Sequence, residues 1–214
     1  AKVYFHTAIC FPDLYEIGMS NNAVRILYDL LNSMEEVYCD RVFSVAPDFE
    51  QLLREKQLPL YTLDLQKPLS ELDMLGISIG YELSATNILQ VLDLGGIPLH
   101  ACDRTDEHPI VICGGPAVTN PLPFAPFMDF VYIGEAEEGL QEVARILIDA
   151  KKQQKSRSEK LALLQSLPYL WYTGKKLALR FIDTNFATPE SHTYRHYVVP
   201  NFKVAQDNGV VEIM

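Results

Sequence analysis

The chain has 214 residues, 48% apolar and 21% charged, enough for one domain of about 100–200 residues plus an appendage. Its net charge of −10 argues against a sequence-independent grip on nucleic acid, which needs clustered Lys and Arg. No apolar run reaches the ~18–20 residues of a membrane-spanning helix and no signal-peptide layout opens the chain, so a cytoplasmic protein without a membrane partner is expected.

In chain order, residues 3–9 are rich in β-branched and aromatic side chains and predict a strand. The stretch Phe11-Pro12-Asp13-Leu14-Tyr15-Glu16-Ile17-Gly18-Met19-Ser20-Asn21 turns through Gly18 into a helix. Ser20, Asn21 or Asn22 caps that helix, and Val24, Leu27, Tyr28 and Leu31 share one of its faces. Residues 38–45 predict a second strand, and Pro47 opens a short helix to residue 56 with Phe49, Leu52 and Leu53 inward. Residues 58–65 read as extended and 68–72 as a turn.

Residues 73–80 form a near-continuous apolar run closed by glycine, the pattern of a strand covered on both faces. Ser84 caps the next helix, with Ala85, Ile88, Leu89 and Leu92 on one face, and Gly95-Gly96 ends it. Residues 97–99 suggest a small strand, 109–116 a fully buried one, and the three prolines within 120–126 a loop. A last strand at 128–135 leads to a helix striped by Leu140, Val143, Ala144, Leu147 and Ile148.

This alternation calls for an α/β fold: a doubly wound, mostly parallel five-stranded sheet of flavodoxin-like or Rossmann-like type over residues 1–150. Residues 151–214 make a small C-terminal α+β extension. Its polar, basic start at 151–160 reads as a solvated helix end or linker, 156–167 as a helix and 177–182 as a strand in a hairpin around Thr173-Gly174-Lys175. The strand-like 209–214 has no turn or tail after it, so a chain cut from a longer one is expected.

The candidate site lies where four strand ends meet at one edge: Gly18, then Ser78 with Gly80, then Gly114 with Gly115, then Gly134 with Glu135. Ligands bind at the carboxyl edge of open α/β sheets, and glycine lets them approach the backbone. Tight turns also need glycine, so a ligand groove and plain turns remain alternatives. Cys10, Cys39, Cys102 and Cys113 are scattered without a C-x-x-C pair and read as reduced thiols, not metal ligands. His192 and His196 are four apart but sit in an extended context, and Asp64, Asp73 and Asp129 do not form the acidic cluster of a receiver domain. No G-x-G-x-x-G, Walker or G-x-S-x-G motif occurs.

The spacing of these residues carries a resemblance. Asp13-Leu14-Tyr15-Glu16-Ile17-Gly18 overlays the D-x-H-x-x-G motif of cobalamin-binding domains, with Tyr15 in the place of histidine. Ser78 matches the serine after their third strand, and Gly114-Gly115 the glycine pair after the fourth. The run from Asp129 through Val131, Gly134 and Glu135 to Glu137 looks like the D-x-V-x-x-G-E-x-E that closes such domains ahead of radical SAM enzymes. Residues 1–150 thus resemble the cobalamin-binding-like N-terminal domain of radical SAM proteins. The resemblance extends to the terminal Val-Val-Glu-Ile-Met, which in a fused subgroup leads into the barrel.

The resemblance implies cofactor-binding positions at Asp13, Tyr15, Gly18, Ser78, Gly80, Gly114, Gly115, Gly134 and Glu135, and no catalytic or metal-ligating residue. It implies cobalamin held without an axial histidine, since a phenol of pKa ~10 stays protonated near neutrality, or a substrate in the same groove. No three cysteines have C-x-x-x-C-x-x-C spacing, so a 4Fe-4S cluster and S-adenosylmethionine are expected only in a full-length parent. The expected partner is that parent's own radical SAM barrel, capped by this domain, and the chain alone is expected to have no turnover. Two other readings are a ligand-free docking module, its groove filled by Tyr15, Met19 and Tyr81, and a free-standing flavodoxin-like small-molecule binder.

Overall fold

A computed structural model describes residues 3–182 and Ala205. Five strands run parallel: β1 (Phe5–Phe11), β2 (Val37–Phe43), β3 (Met74–Ser78), β4 (Ile110–Gly114) and β5 (Phe130–Tyr132). Their order is β2-β1-β3-β4-β5, the flavodoxin type of doubly wound sheet. A sixth strand, β6 (Leu170–Trp171), joins the outer side of β5 antiparallel, so the sheet expected to have five strands has six and continues past residue 150.

The helices are α1 (Tyr15–Gly18), α2 (Asn22–Asn32), α3 (Pro47–Lys56), α4 (Ala85–Leu94), α5 (Glu137–Lys152) and α6 (Arg157–Gln165). Alternate residues along each strand feed two cores. Ala8, Leu75, Ile77, Val111 and Val131 pack with Leu53 of α3 and with Ile88, Val91 and Leu92 of α4. Ile9, Met74, Ile112, Phe130 and Tyr132 pack with Leu31 of α2, with the Leu140–Ile148 stripe of α5 and with Leu164 of α6. Burial on both faces is why these strands read as continuous apolar runs. It also pushes the thiol pKa of Cys10, Cys39 and Cys113 well above its ordinary value, which keeps them protonated.

Several local expectations are refined. Asn21 is the cap of α2, its side chain accepting from the Ala23 amide at 2.9 Å. Ser84 precedes α4 but makes no cap bond; its hydroxyl donates to the Tyr81 carbonyl at 2.6 Å. Leu52 is 45% exposed, because α3 buries a single row through Leu53. No strand forms at 97–99, where the carbonyls of Pro98 and Leu99 accept from the Arg104 guanidinium instead. Residues 177–182 form no hairpin strand either. The Lys175 ammonium takes the carbonyls of Leu167, Pro168 and Leu170, and Phe181 makes one parallel bridge with Gly134. The expectations for His192, His196 and residues 209–214 lie outside the described residues.

The basic stretch is tied to neighbouring elements. Lys151 donates to Asp73 at 2.8 Å and Lys152 to Glu36 at 2.6 Å, while Ser156 and Glu159 form a capping box that opens α6. Among the described residues no helix is long and apolar enough to cross a membrane, and no group of three or more His, Cys, Asp or Glu could hold a metal ion.

At the amino edge of the sheet, the buried Asp129 carboxylate accepts from Arg104 at 3.2 Å, Arg157 at 2.6 Å and the Val111 amide at 2.7 Å. Both guanidinium groups are buried, and they also donate to the carbonyls of Pro98, Leu99, Phe127, His108 and Pro109. One carboxylate therefore holds together the ends of β4, β5 and α6. Asp129→Asn should lower unfolding free energy by about 3–5 kcal/mol, since it leaves two buried cations without their counter-charge. Urea denaturation of the variant beside the parent chain measures this.

Candidate functional site

The parallel register places the carboxyl ends of β1, β3, β4 and β5 side by side. Ser78 sits opposite Gly114, and the Ile79 amide donates to the Gly114 carbonyl at 2.8 Å. Between this edge and helices α2 and α5 opens a cleft of about 210 Å³. Its floor is Ile9, Gly76, Ile77, Ser78 and the Ile112–Gly115 turn. Ala23, Ile26 and Leu27 of α2 form one wall, and Gly134 to Glu137 with Leu140 form the other.

Of the nine positions named from the sequence, five line this cleft: Ser78, Gly114, Gly115, Gly134 and Glu135. The other four lie beside it, around the turn after β1. Asp13 accepts a 2.9 Å hydrogen bond from the Tyr81 hydroxyl, and its other carboxylate oxygen caps the Leu14 amide at 2.8 Å. Tyr15 stands edge-on to Phe43, ring centroids 5.4 Å apart, and lines a separate groove with Phe49, Leu60 and Tyr61. Gly18 is pressed against the Phe43 ring, and Gly80 approaches Phe11. The bulky residues expected to fill the groove are placed elsewhere: Met19 is buried with Phe11, Val24 and Phe43, and neither Tyr15 nor Tyr81 lines the cleft.

The glycines at the edge answer first to the chain's own backbone. A Cβ on Gly115, at φ +112°, would stand 2.5 Å from the Ile79 carbonyl oxygen. Gly134, at φ +119°, meets the backbone of Phe181, whose amide donates to the Ile133 carbonyl at 2.9 Å. The Phe181 carbonyl accepts in turn from the Glu135 amide at 3.1 Å. Phe181 is wedged against Tyr169, centroids 5.0 Å apart, and Arg180 lies 3.6 Å from the Glu135 carboxylate. At Gly80 and Gly114 a Cβ would meet ordinary contacts, with Phe11 at 3.8 Å and with Tyr132 at 3.5 Å.

Sequence reasoning missed Gly76, Ala23 and Glu137. Gly76 is an isolated glycine inside a strand, which signals close approach, and it leaves the middle of the floor open. Ala23 is a small residue on the first turn of α2, where it keeps the mouth wide.

The lining offers the Ser78 hydroxyl, the Tyr132 hydroxyl, which donates to the Glu135 carbonyl at 2.7 Å, the buried Cys113 thiol, two carboxyl groups and apolar walls; no His, Lys or Arg lines it among the described residues. At about 210 Å³ the cleft is below the ~300–1,000 Å³ of pockets that enclose a whole drug-sized ligand, so it takes a ring-sized part of one. A corrin macrocycle would have to lie outside it, and among the described residues no imidazole lines it.

Residues 23–172 match the family described as radical SAM proteins, N-terminal. No curated protein matches the chain. Among solved structures it is similar to the radical S-adenosylmethionine methyltransferase TsrM from Kitasatospora setae, solved with tryptophan substrate and the SAM analogue aza-SAM bound. The match has 12% identity and a TM-score of 0.45; it covers 83% of this chain and 30% of the methyltransferase, of whose length this chain therefore spans less than a third. With the family match covering most of its length, the chain belongs to the N-terminal family of radical SAM proteins.

Proposed function

We propose that this domain packs the loops at the carboxyl edge of its sheet against the radical SAM barrel of its parent polypeptide, and that the cleft at that edge holds a ring-sized part of a ligand. The ligand is a corrinoid bound without an axial histidine, or the substrate of the parent. The chain itself performs no turnover; the 4Fe-4S cluster and S-adenosylmethionine belong to the barrel. A bound corrinoid would supply a cobalt centre for alkyl transfer, while Ser78, Gly114 and Glu135 would wall its inserted end.

The observation that carries this reading is an apolar rim on two stitched loops. Leu14 and Ile17 after β1, and Tyr81 and Leu83 after β3, are exposed, Leu83 by 84%. The Tyr81–Asp13 hydrogen bond and a 3.0 Å bond from the Asn87 side chain to the Pro12 carbonyl join the two loops. Exposed apolar side chains on a pre-organised frame are the features of a docking surface. Ala205 donates its amide to the Glu16 carbonyl of this same loop at 3.1 Å. The open cleft supports ligand binding over an occluded docking module.

Three measurements follow from this reading. Amide exchange over residues 13–20 and 80–84 should slow at least about tenfold in the polypeptide carrying its barrel, relative to the chain alone; equal rates would remove the docking surface. Hydroxocobalamin should co-migrate with the protein on gel filtration, and Gly76→Val, which fills the floor, should abolish the co-migrating colour; no colour with the parent chain would remove the corrinoid and leave the substrate group. The third concerns Tyr81, whose proton is held by Asp13 so that its pKa lies above the ordinary phenol value. The folded value exceeds the unfolded one, so the loop-to-loop bond is present below about pH 10 and lost as pH rises through the raised value. The difference in 295 nm absorbance titration between the parent chain and Tyr81→Phe reports it.

A further inference from the structure

A second opening lies at the carboxyl end of β2, between the turn after β1, the start of α3 and residues 60–63. Its volume is about 340 Å³, within the ~300–1,000 Å³ of sites that take a whole small ligand, a range the cleft does not reach. The walls include Phe43, Val45, Phe49, Leu60, Tyr61 and Leu63. Val45, Phe49 and Tyr61 are only half-buried, so apolar and aromatic surface is left for a ligand to cover.

One polar group in this groove is left over. Ser44 lines it and is 7% exposed, and its buried Oγ has no hydrogen-bond partner among the described residues. Ser44 follows Val42 at strand spacing, so its side chain points to the side of the sheet that α3 covers. The polar groups around it are already engaged. The Ser44 amide donates to the Asp13 carbonyl at 3.0 Å, and the Gln90 side chain takes the Val45 amide at 3.4 Å and the Val45 carbonyl at 3.3 Å. Leaving a buried hydroxyl unpaired is costly, and a ligand oxygen that meets it removes the cost. A charged ligand would shed its hydration against mostly apolar walls for that single hydroxyl. We infer that this groove binds an uncharged aromatic molecule carrying one hydrogen-bonding oxygen, which the Ser44 hydroxyl holds. The inference is independent of the reading of the cleft.

Ligand-observed NMR titration with 1-indanone and indane compares the same fused rings with and without an oxygen. 1-Indanone should bind at least about fivefold more tightly than indane. Ser44→Ala should erase that difference by weakening 1-indanone, and should leave indane within about twofold. Because the hydroxyl has no bond to lose, the same variant should unfold at a thermal midpoint equal to or above that of the unsubstituted chain. Ala46→Phe, at a lining residue just before α3, fills the groove and should remove both rings, which locates the signal; Ala46→Leu serves should the larger variant fail to fold. Indane bound as tightly as 1-indanone, a Ser44→Ala chain that unfolds earlier or keeps the difference, rings unaffected by filling the groove, or no ring bound at all would each overturn the inference.

Discussion

The ligand edge hangs on the ladder between β3 and β4. There the Ile79 amide bonds the Gly114 carbonyl, and the Ala117 amide returns to the Ile79 carbonyl at 3.3 Å. The two turns interlock so closely that only a residue without a Cβ, in the left-handed half of backbone space, can occupy position 115. That constraint sets the height of the cleft floor, the position of the Ser78 hydroxyl and the direction in which the chain leaves for residues 116–127. Any side chain at 115 would force β3 and β4 apart at the point where a ligand would rest.

The two edges of the sheet solve opposite electrostatic problems. At the amino edge, one carboxylate neutralises part of two buried guanidinium charges, and seven hydrogen bonds to backbone and carboxylate keep those groups satisfied away from water. That edge is closed and structural. At the carboxyl edge the carboxyl groups of Glu135 and Glu137 stand around an apolar opening. The protein thus buries matched charge where its strands begin, and carboxyl groups also stand where a ligand would enter. Asp129, the first residue of the motif that looks like D-x-V-x-x-G-E-x-E, serves the first purpose, and Glu135, its second acid, serves the second.

The exposed apolar rim of the two loops and the cleft share that carboxyl edge without sharing residues. Asp13 and Tyr15, which fall in the segment resembling D-x-H-x-x-G, organise the rim: one holds Tyr81 and the other packs on Phe43. Ser78 and the glycine pair organise the cleft. Where the resembling motif has histidine, Tyr15 lies in a turn whose Leu14 and Ile17 are exposed, and the cleft next to it is open.

By itself the sequence determined the alternation of strands and helices, a cap of α2 among Ser20, Asn21 and Asn22, the start of α3 at Pro47 and the glycine-ended strands, because each of these depends on side-chain period and backbone freedom within a few residues. It also named five of the cleft's lining residues, since a glycine-marked strand end is a local signal. Only the tertiary structure decided that Gly134 is glycine to admit Phe181, that Asp13 serves Tyr81, that Lys175 occupies the carbonyls a hairpin strand would need, and that Gly76 and Ala23 open the cleft. The physical reason is that these roles belong to pairs of residues far apart in the chain, and the contact between them exists only once the sheet has brought their strand ends together.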